Sequence, residues 1–248
     1  MKGVSKRFGG VHALEKIDFS LAKNEVVGLI GDNGAGKSTL IKVLAGVHRP
    51  DEGEIIFDGH RVQIHSPKEA KDLGIETVYQ DLALVDNLDI PANIFLGREP
   101  TYKLRWLGII DQREMEQHAR RILDRLKIRI DSMHSPVLNL SGGQRQAVAI
   151  SRALYSNPKV VIMDEPTAAL AVQEVSKVLD LIVQLKKSGV SVIFISHTLQ
   201  NTFSVSDRVV ILRKGRKVGD MATAETTTDE VVKLMVGGEE AVTTADPV

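Results

Sequence analysis

"EVVGLIGDNGAGKSTLIKVLAG", residues 25–46, decides the fold. An unbroken apolar run around Val26–Ile30 meets a glycine-rich loop, and a stretch with apolar residues at Leu40, Ile41, Val43 and Leu44 follows. A run without polar alternation reads as a strand buried on both faces, and the later spacing reads as a helix. The loop matches G-x-x-x-x-G-K-[ST] and sits between that strand and that helix, where the pattern has physical meaning. Gly34 and Gly36 allow the backbone to come close to phosphate oxygens, which loop N–H groups at a helix N-terminus can bind. Lys37 is placed to reach β- and γ-phosphates, and the Ser38 hydroxyl to ligate Mg²⁺. With Gly31, Asn33, Ala35 and Thr39 completing the cradle, the chain is expected to bind a nucleoside triphosphate.

Similar apolar runs recur at 54–59, 75–80, 159–165, 190–197 and 208–215, and helical spacing fits 37–46, 66–73, 111–127, 142–156 and 172–188. Strands alternating with helices imply an α/β domain with a parallel sheet core. Asp58-Gly59 and Lys214-Gly215 each read as a hairpin turn, which adds an antiparallel part. The middle, about 82–157, carries helical patterns and no convincing long strand, so it reads as a helical subdomain inserted into the sheet domain. The tail, 237–248, lacks apolar periodicity and is expected to be loosely ordered.

The 248 residues favour one large domain or a domain with a subdomain. Basic and acidic residues balance at 32 each, so no global field favours nucleic acid or an acidic membrane. There is no cysteine, which excludes a disulfide scaffold and a thiolate metal site. No charge-free apolar run approaches the roughly 20 residues that cross a bilayer. The N-terminus "MKGVSKRFGG" has no hydrophobic signal region. A soluble intracellular protein is expected.

Further chemistry falls at strand ends. "VVIMDEP", 160–166, closes an apolar run with two acids. Ligands of open α/β sheets sit at the carboxyl ends of strands. Asp164 would hold the metal shell there, while Glu165 could accept a proton from an attacking water or orient it. Gln80 follows "ETVY", and His197 follows "VIFIS". Gln80 could complete the Mg²⁺ shell and sense a γ-phosphate; His197 could bond that phosphate and position the water.

"LSGGQRQ", 140–146, is harder to explain locally. Ser141 and Gln144 fit a capping box, S-x-x-Q, ahead of an apolar-periodic helix. Capping leaves Gly142 and Gly143 unexplained, each of which weakens a helical turn by roughly 1 kcal/mol relative to Ala. Taken together, "GDNGAGKST", Gln80, "LSGGQ", "IMDEP" and His197 resemble, in order and approximate spacing, the ATP-binding subunits of ABC transporters over about residues 3–236. The resemblance implies a cassette that binds ATP and Mg²⁺ and hydrolyses ATP with Lys37, Glu165 and His197. It also implies that two cassettes pack head to tail, so that Ser141, Gly142, Gly143 and Gln144 of one meet the γ-phosphate held by the other. Bare glycines there let an anion reach backbone N–H groups. Phe8 falls where the family places an aromatic ring under the adenine, the alternative being a core phenylalanine.

The stretches 78–99, 105–115 and 231–239 resemble the ATPases of bacterial monosaccharide importers of the ribose, xylose and fructose type. The partners so implied are a second cassette, identical or not, integral membrane permease subunits and, through them, a periplasmic or extracellular solute-binding protein. The expected location is the cytoplasmic face of the plasma membrane, with no nucleic acid bound. Other readings are import of another small solute such as an amino acid, a soluble non-transport ABC ATPase, and a regulatory module without turnover. Two departures stand out. Family members usually read S-A-L-D after "DEPT", where this chain has "AALA" (168–171), so Ala171 replaces an acid that helps couple the two sites. They also carry about ten residues before "VSKRFG", forming the first strand, where this chain has three; the expectation is that either the chain starts late or an edge strand is missing, and that in both cases the seat of Phe8 is less secure.

Overall fold

The computed structural model describes residues 1–102, 108–168 and 170–237. Beyond Gly237 the tail lies outside the described residues, as do Ala169 and residues 105–107 of the sugar-importer resemblance.

The central sheet has six strands in the order β10-β9-β3-β8-β7-β6. β3 (Val26–Ile30), β6 (Ile75–Val78), β7 (Val160–Asp164), β8 (Ser191–Ile195) and β9 (Arg208–Arg213) run parallel. β10 (Arg216–Ala222) is antiparallel to β9. β3 and β8 are buried at every position, as their unbroken apolar runs require. One face packs against α1 (Lys37–Leu44) and α2 (Pro67–Asp72), through Leu40, Ile41, Val43 and Ala70. The opposite face packs against α5 (Gly142–Leu154) and α6 (Val172–Lys187), through Ala147, Ile150, Leu181 and Ile182. Further along the sheet, α7 (Leu199–Val205) and α8 (Thr228–Val236) pack over Ile30 of β3 and Val209 and Ile211 of β9.

A second, antiparallel sheet has the order β2-β1-β4-β5. Here the expectation about the first strand is corrected. Lys2–Phe8 forms β1, between β2 (Val11–Ile17) and β4 (Glu52–Phe57), so the strand is present and internal to its sheet. Val4 on β1 is fully buried against the core. Both expected hairpins form. Asp58 and Gly59 (φ 48° and 81°) join β4 to β5 (His60–Val62), and Lys214 and Gly215 (φ 48° and 79°) join β9 to β10. Two successive left-handed residues give the twist that matches adjoining strands.

Among the described residues, the regular elements between β6 and β7 are mainly helices. α3 (Ile90–Phe95), α4 (Gln112–Arg125) and α5 share a small core of Ile94, Phe95, Ala119, Leu123 and Val148. Asp89 caps α3 and Asp111 caps α4 through their side chains.

Candidate nucleotide and catalytic site

Four consecutive strands of the central sheet, β3-β8-β7-β6, end at one rim. Gly31 follows β3, His197 lies two residues beyond β8, Asp164 ends β7 with Glu165 next, and Gln80 lies two residues past β6. The sequence separation of 125 residues between Thr39 at the end of the phosphate loop and Asp164 vanishes because β3 and β7 both pair with β8.

The loop's glycines are demanded by the fold itself. Gly31 has φ 154°, and a Cβ there would stand 2.3 Å from the Leu212 carbonyl oxygen. Gly36, the N-cap of α1, has φ 108°, and its Cβ would meet the Ala13 carbonyl at 2.7 Å. Gly34 has open space around it and is required by its φ of 79° alone. The loop is buttressed from behind: Gly215 N–H donates to the Ala35 carbonyl at 3.0 Å, and Glu15 N–H donates to the Gly215 carbonyl at 2.8 Å. That role of the Lys214-Gly215 turn had no signature in the sequence beyond the hairpin itself.

Lys37 is 8% exposed, and its amine donates to the carbonyls of Gly31 (2.6 Å) and Asp32 (3.1 Å). An ammonium has three protons, so two are spent on holding the loop and one is left for a phosphate oxygen. Burial lowers its pKa, and Glu165, Asp32 and Asp164 oppose that shift. The Asp164 carboxyl is raised, first by burial and then by Glu165, while Lys37 pulls the other way. Glu165 has φ 51°, a left-handed backbone uncommon outside glycine, fixed by its N–H donating to the Ile195 carbonyl at 3.0 Å. That twist turns its carboxylate to within 2.5 Å of His197 Nε2. Lys37, Asp164, Glu165 and His197 are therefore one electrostatic unit.

For a divalent cation, the available donors are the hydroxyl of exposed Ser38 in the first turn of α1, the Gln80 amide oxygen and the Asp164 carboxylate. These are hard oxygen ligands, and burial together with the neighbouring Glu165 charge disfavours an ionised Asp164, a cost that a cation would relieve, so the set fits Mg²⁺. Among the described residues no cluster of three or more His, Cys, Asp or Glu could hold a metal. Phosphate oxygens would have to complete the shell.

Phe8 is not a core residue. It is 44% exposed at the end of β1, with its ring edge-to-face on His48 (centroids 5.0 Å apart) and Lys6 Nζ 5.5 Å from its centroid. His48 was not among the sequence candidates. Ser141 to Gln144 start α5 with both halves of the capping box formed. The neighbours nearest to Gly142 and Gly143 are Leu170 and Glu174.

This combination of a phosphate loop on β3 and acids on the neighbouring strand ends defines a P-loop nucleoside triphosphatase. The profile of the ABC transporter family matches residues 14–168. The xylose/arabinose import ATP-binding protein of Sulfolobus acidocaldarius is 46% identical, over 95% of this chain and 92% of its own length. A ribose import ATP-binding protein of Rubrobacter xylanophilus is 48% identical over 96% of this chain and 46% of its own, so the chain spans about half of that relative. A solved ABC-transporter cassette in its ADP conformation superposes with a TM-score of 0.82 at 29% identity, covering 95% of this chain and 97% of the other. A dimeric cassette in a post-hydrolysis state with ADP and Pi matches with a TM-score of 0.74 at 26% identity, over 90% and 97% of the two chains. The chain belongs to the ABC transporter family, as an ATP-binding, ATP-hydrolysing cassette.

Proposed function

We propose that this chain powers monosaccharide import as one half of a head-to-tail cassette pair beneath a membrane permease. The hydrolytic part rests on one observation, the Glu165 carboxylate held 2.5 Å from His197 Nε2 beside the phosphate loop. In this reading the triphosphate lies along the loop N–H groups and Lys37, with adenine stacked on the exposed face of Phe8. Ser38, Gln80 and Asp164 hold Mg²⁺, which when bound neutralises charge developing on the phosphates. A water then attacks the γ-phosphorus in line with the leaving ADP oxygen. Glu165 takes the water's proton, and His197 holds Glu165 in place and bonds the γ-phosphate.

Ser141 and Gly143 complete the site from the partner cassette, so turnover requires the pair. A cavity of about 590 Å³ beside the Gln80 strand supports docking of a permease segment. Lys71, Glu76, Tyr79, Leu82, Arg98 and Arg152 help to line it, joining the sheet end to the helical part. Among the described residues no helix is long and apolar enough to cross a membrane, in keeping with a subunit held at the cytoplasmic face by its permease. A solute-binding protein outside the membrane would select the sugar. The substrate class is supported by the sugar-import relatives; import of another small solute is the second reading.

The test is Glu165→Gln. Hydrolysis should fall by roughly 10²- to 10⁴-fold, the usual contribution of a positioned base, with ATP affinity retained. Wild-type protein without measurable ATPase activity would instead favour the regulatory module that Ala171 suggests. Sugar uptake in a strain lacking the gene decides the substrate class.

A further inference from the structure

On the reading above, adenine stacks on Phe8, so whatever holds that ring decides how well the base is seated. Its own turn offers no support. Gly9 and Gly10 follow it, and a Cβ on either would have no atom within 4 Å. The ring is held instead by two other side chains. Lys6, on the same strand, places Nζ over the ring at 5.5 Å from its centroid. His48, in the loop between α1 and β4, meets it edge-to-face, with centroids 5.0 Å apart and planes at 68°. That is a favoured geometry for two aromatic rings.

Both supports are themselves fastened. Lys6 Nζ donates to Asp51 Oδ1 at 2.8 Å, and Oδ2 of the same carboxylate accepts from the Arg7 N–H at 2.7 Å. The Asp51 N–H donates to the Ser5 carbonyl at 2.9 Å. At the other end of the loop, the N–H groups of Val47 and His48 both donate to the Lys42 carbonyl, at 2.8 and 3.1 Å. The loop is thus tied to α1 at one end and to β1 at the other, with His48 part of it. Because α1 begins at the phosphate loop, one helix joins the phosphate end of the site to the ring that seats the base. With Lys6 over the ring and His48 beside it, the 44% of Phe8 that stays exposed is the surface left for a base.

We propose that His48 is a positioning residue for adenine: its edge-to-face contact fixes the Phe8 ring in the orientation on which the base stacks. This rests on the stacking role given to Phe8 above. The imidazole acts through Phe8, so its contribution belongs to the base and not to the phosphates. A ring free to turn would have to lose that freedom on binding, and the cost would fall on nucleotide affinity.

The experiment measures Kd by calorimetry on the full chain, for ATP and for inorganic tripolyphosphate, in EDTA so that neither hydrolysis nor Mg-dependent pairing intervenes. His48→Ala should weaken ATP by roughly two- to ten-fold, the scale of one edge-to-face aromatic pair, and leave tripolyphosphate unchanged. His48→Phe, which restores a ring at that place, should bind ATP as wild type does. Phe8→Ala should also weaken ATP, and adding His48→Ala to it should cost nothing more, because the contact is already gone. Unchanged ATP affinity in His48→Ala overturns the proposal, and so does ATP affinity that His48→Phe leaves low. An equal loss for tripolyphosphate overturns it too, marking His48 as a support of the loop alone. So does a further loss in the double variant, since His48 would then act on the nucleotide without Phe8. If His48→Ala does not fold, His48→Gln, which keeps bulk but lacks a ring, is read in the same way. Phe8→Ala with full ATP affinity removes the stacking reading and this proposal together. Phe8→Ala that weakens ATP, with no effect at His48, removes this proposal alone.

Discussion

Glu165 is a non-glycine residue in a left-handed backbone, next to an acid whose ionisation the fold resists. Both features cost stability in the nucleotide-free protein, which is how a site can be preorganised for cations and phosphate. The cost at Asp164 has a pH signature. Burial first, and then Glu165, raise its pKa above the ordinary 3.8. Between the unfolded and folded values the native state binds more protons, so stability falls as pH rises through that interval. Above the folded value the cost is complete; below 3.8 it is absent. Asp164→Asn should therefore melt higher than wild type near neutral pH without nucleotide, with the gap closing as pH falls into the ordinary carboxylate range. Thermal melts across pH check this, and a gap that is constant or reversed would count against it. The phosphate loop was legible residue by residue because its pattern is local. The strain at Glu165 was not, since it follows from the neighbouring β8 strand.

At the scale of elements, α5 does more than present a capped N-terminus. Arg145 reaches Asp86 at 2.6 Å, and Arg152 donates to the carbonyls of Leu82 (2.6 Å) and Ala83 (2.8 Å). Arg98 in turn donates to the Arg152 carbonyl at 3.0 Å. The segment after Gln80 is thus fastened along the helix that carries Ser141 and Gly143. Arg152→Ala removes the charged donor from two carbonyls and should cost about 1–3 kcal/mol. Hydrogen exchange should quicken at residues 81–86 before it does elsewhere; uniform exchange would show the fastening to be unimportant. The helices themselves were largely readable from periodicity and caps. α8 was missed although Thr227 and Glu230 form a capping box, a T-x-x-E signal the sequence displays. α3 was missed although Asp89 caps it and a proline stands in its first turn, both signals the sequence displays.

For the whole molecule the question is how one cassette completes another. Ser141→Arg places a bulky cation where the partner's phosphate would enter. It should leave ATP binding by the monomer unchanged and reduce hydrolysis to background, measured by nucleotide binding and phosphate release on the same preparation. Full activity in that variant would refute the two-sided site. In the Glu165→Gln background with Mg-ATP, it should also remain monomeric.

The sequence by itself determined the α/β class, the phosphate loop, the strand-end acids and the two hairpin turns. Each depends on residues adjacent in the chain, where backbone sterics and side-chain periodicity act directly. Tertiary structure alone decided that Lys37, Asp164, Glu165 and His197 form one unit, because strand order and not chain order sets their separation. It also decided that Gly31 and Gly36 are bare to clear the carbonyls of Leu212 and Ala13, and that Gly142 and Gly143 are bare with Glu174 lying over them. Close approach of distant backbones is a property of packing, and no local pattern of residues records it.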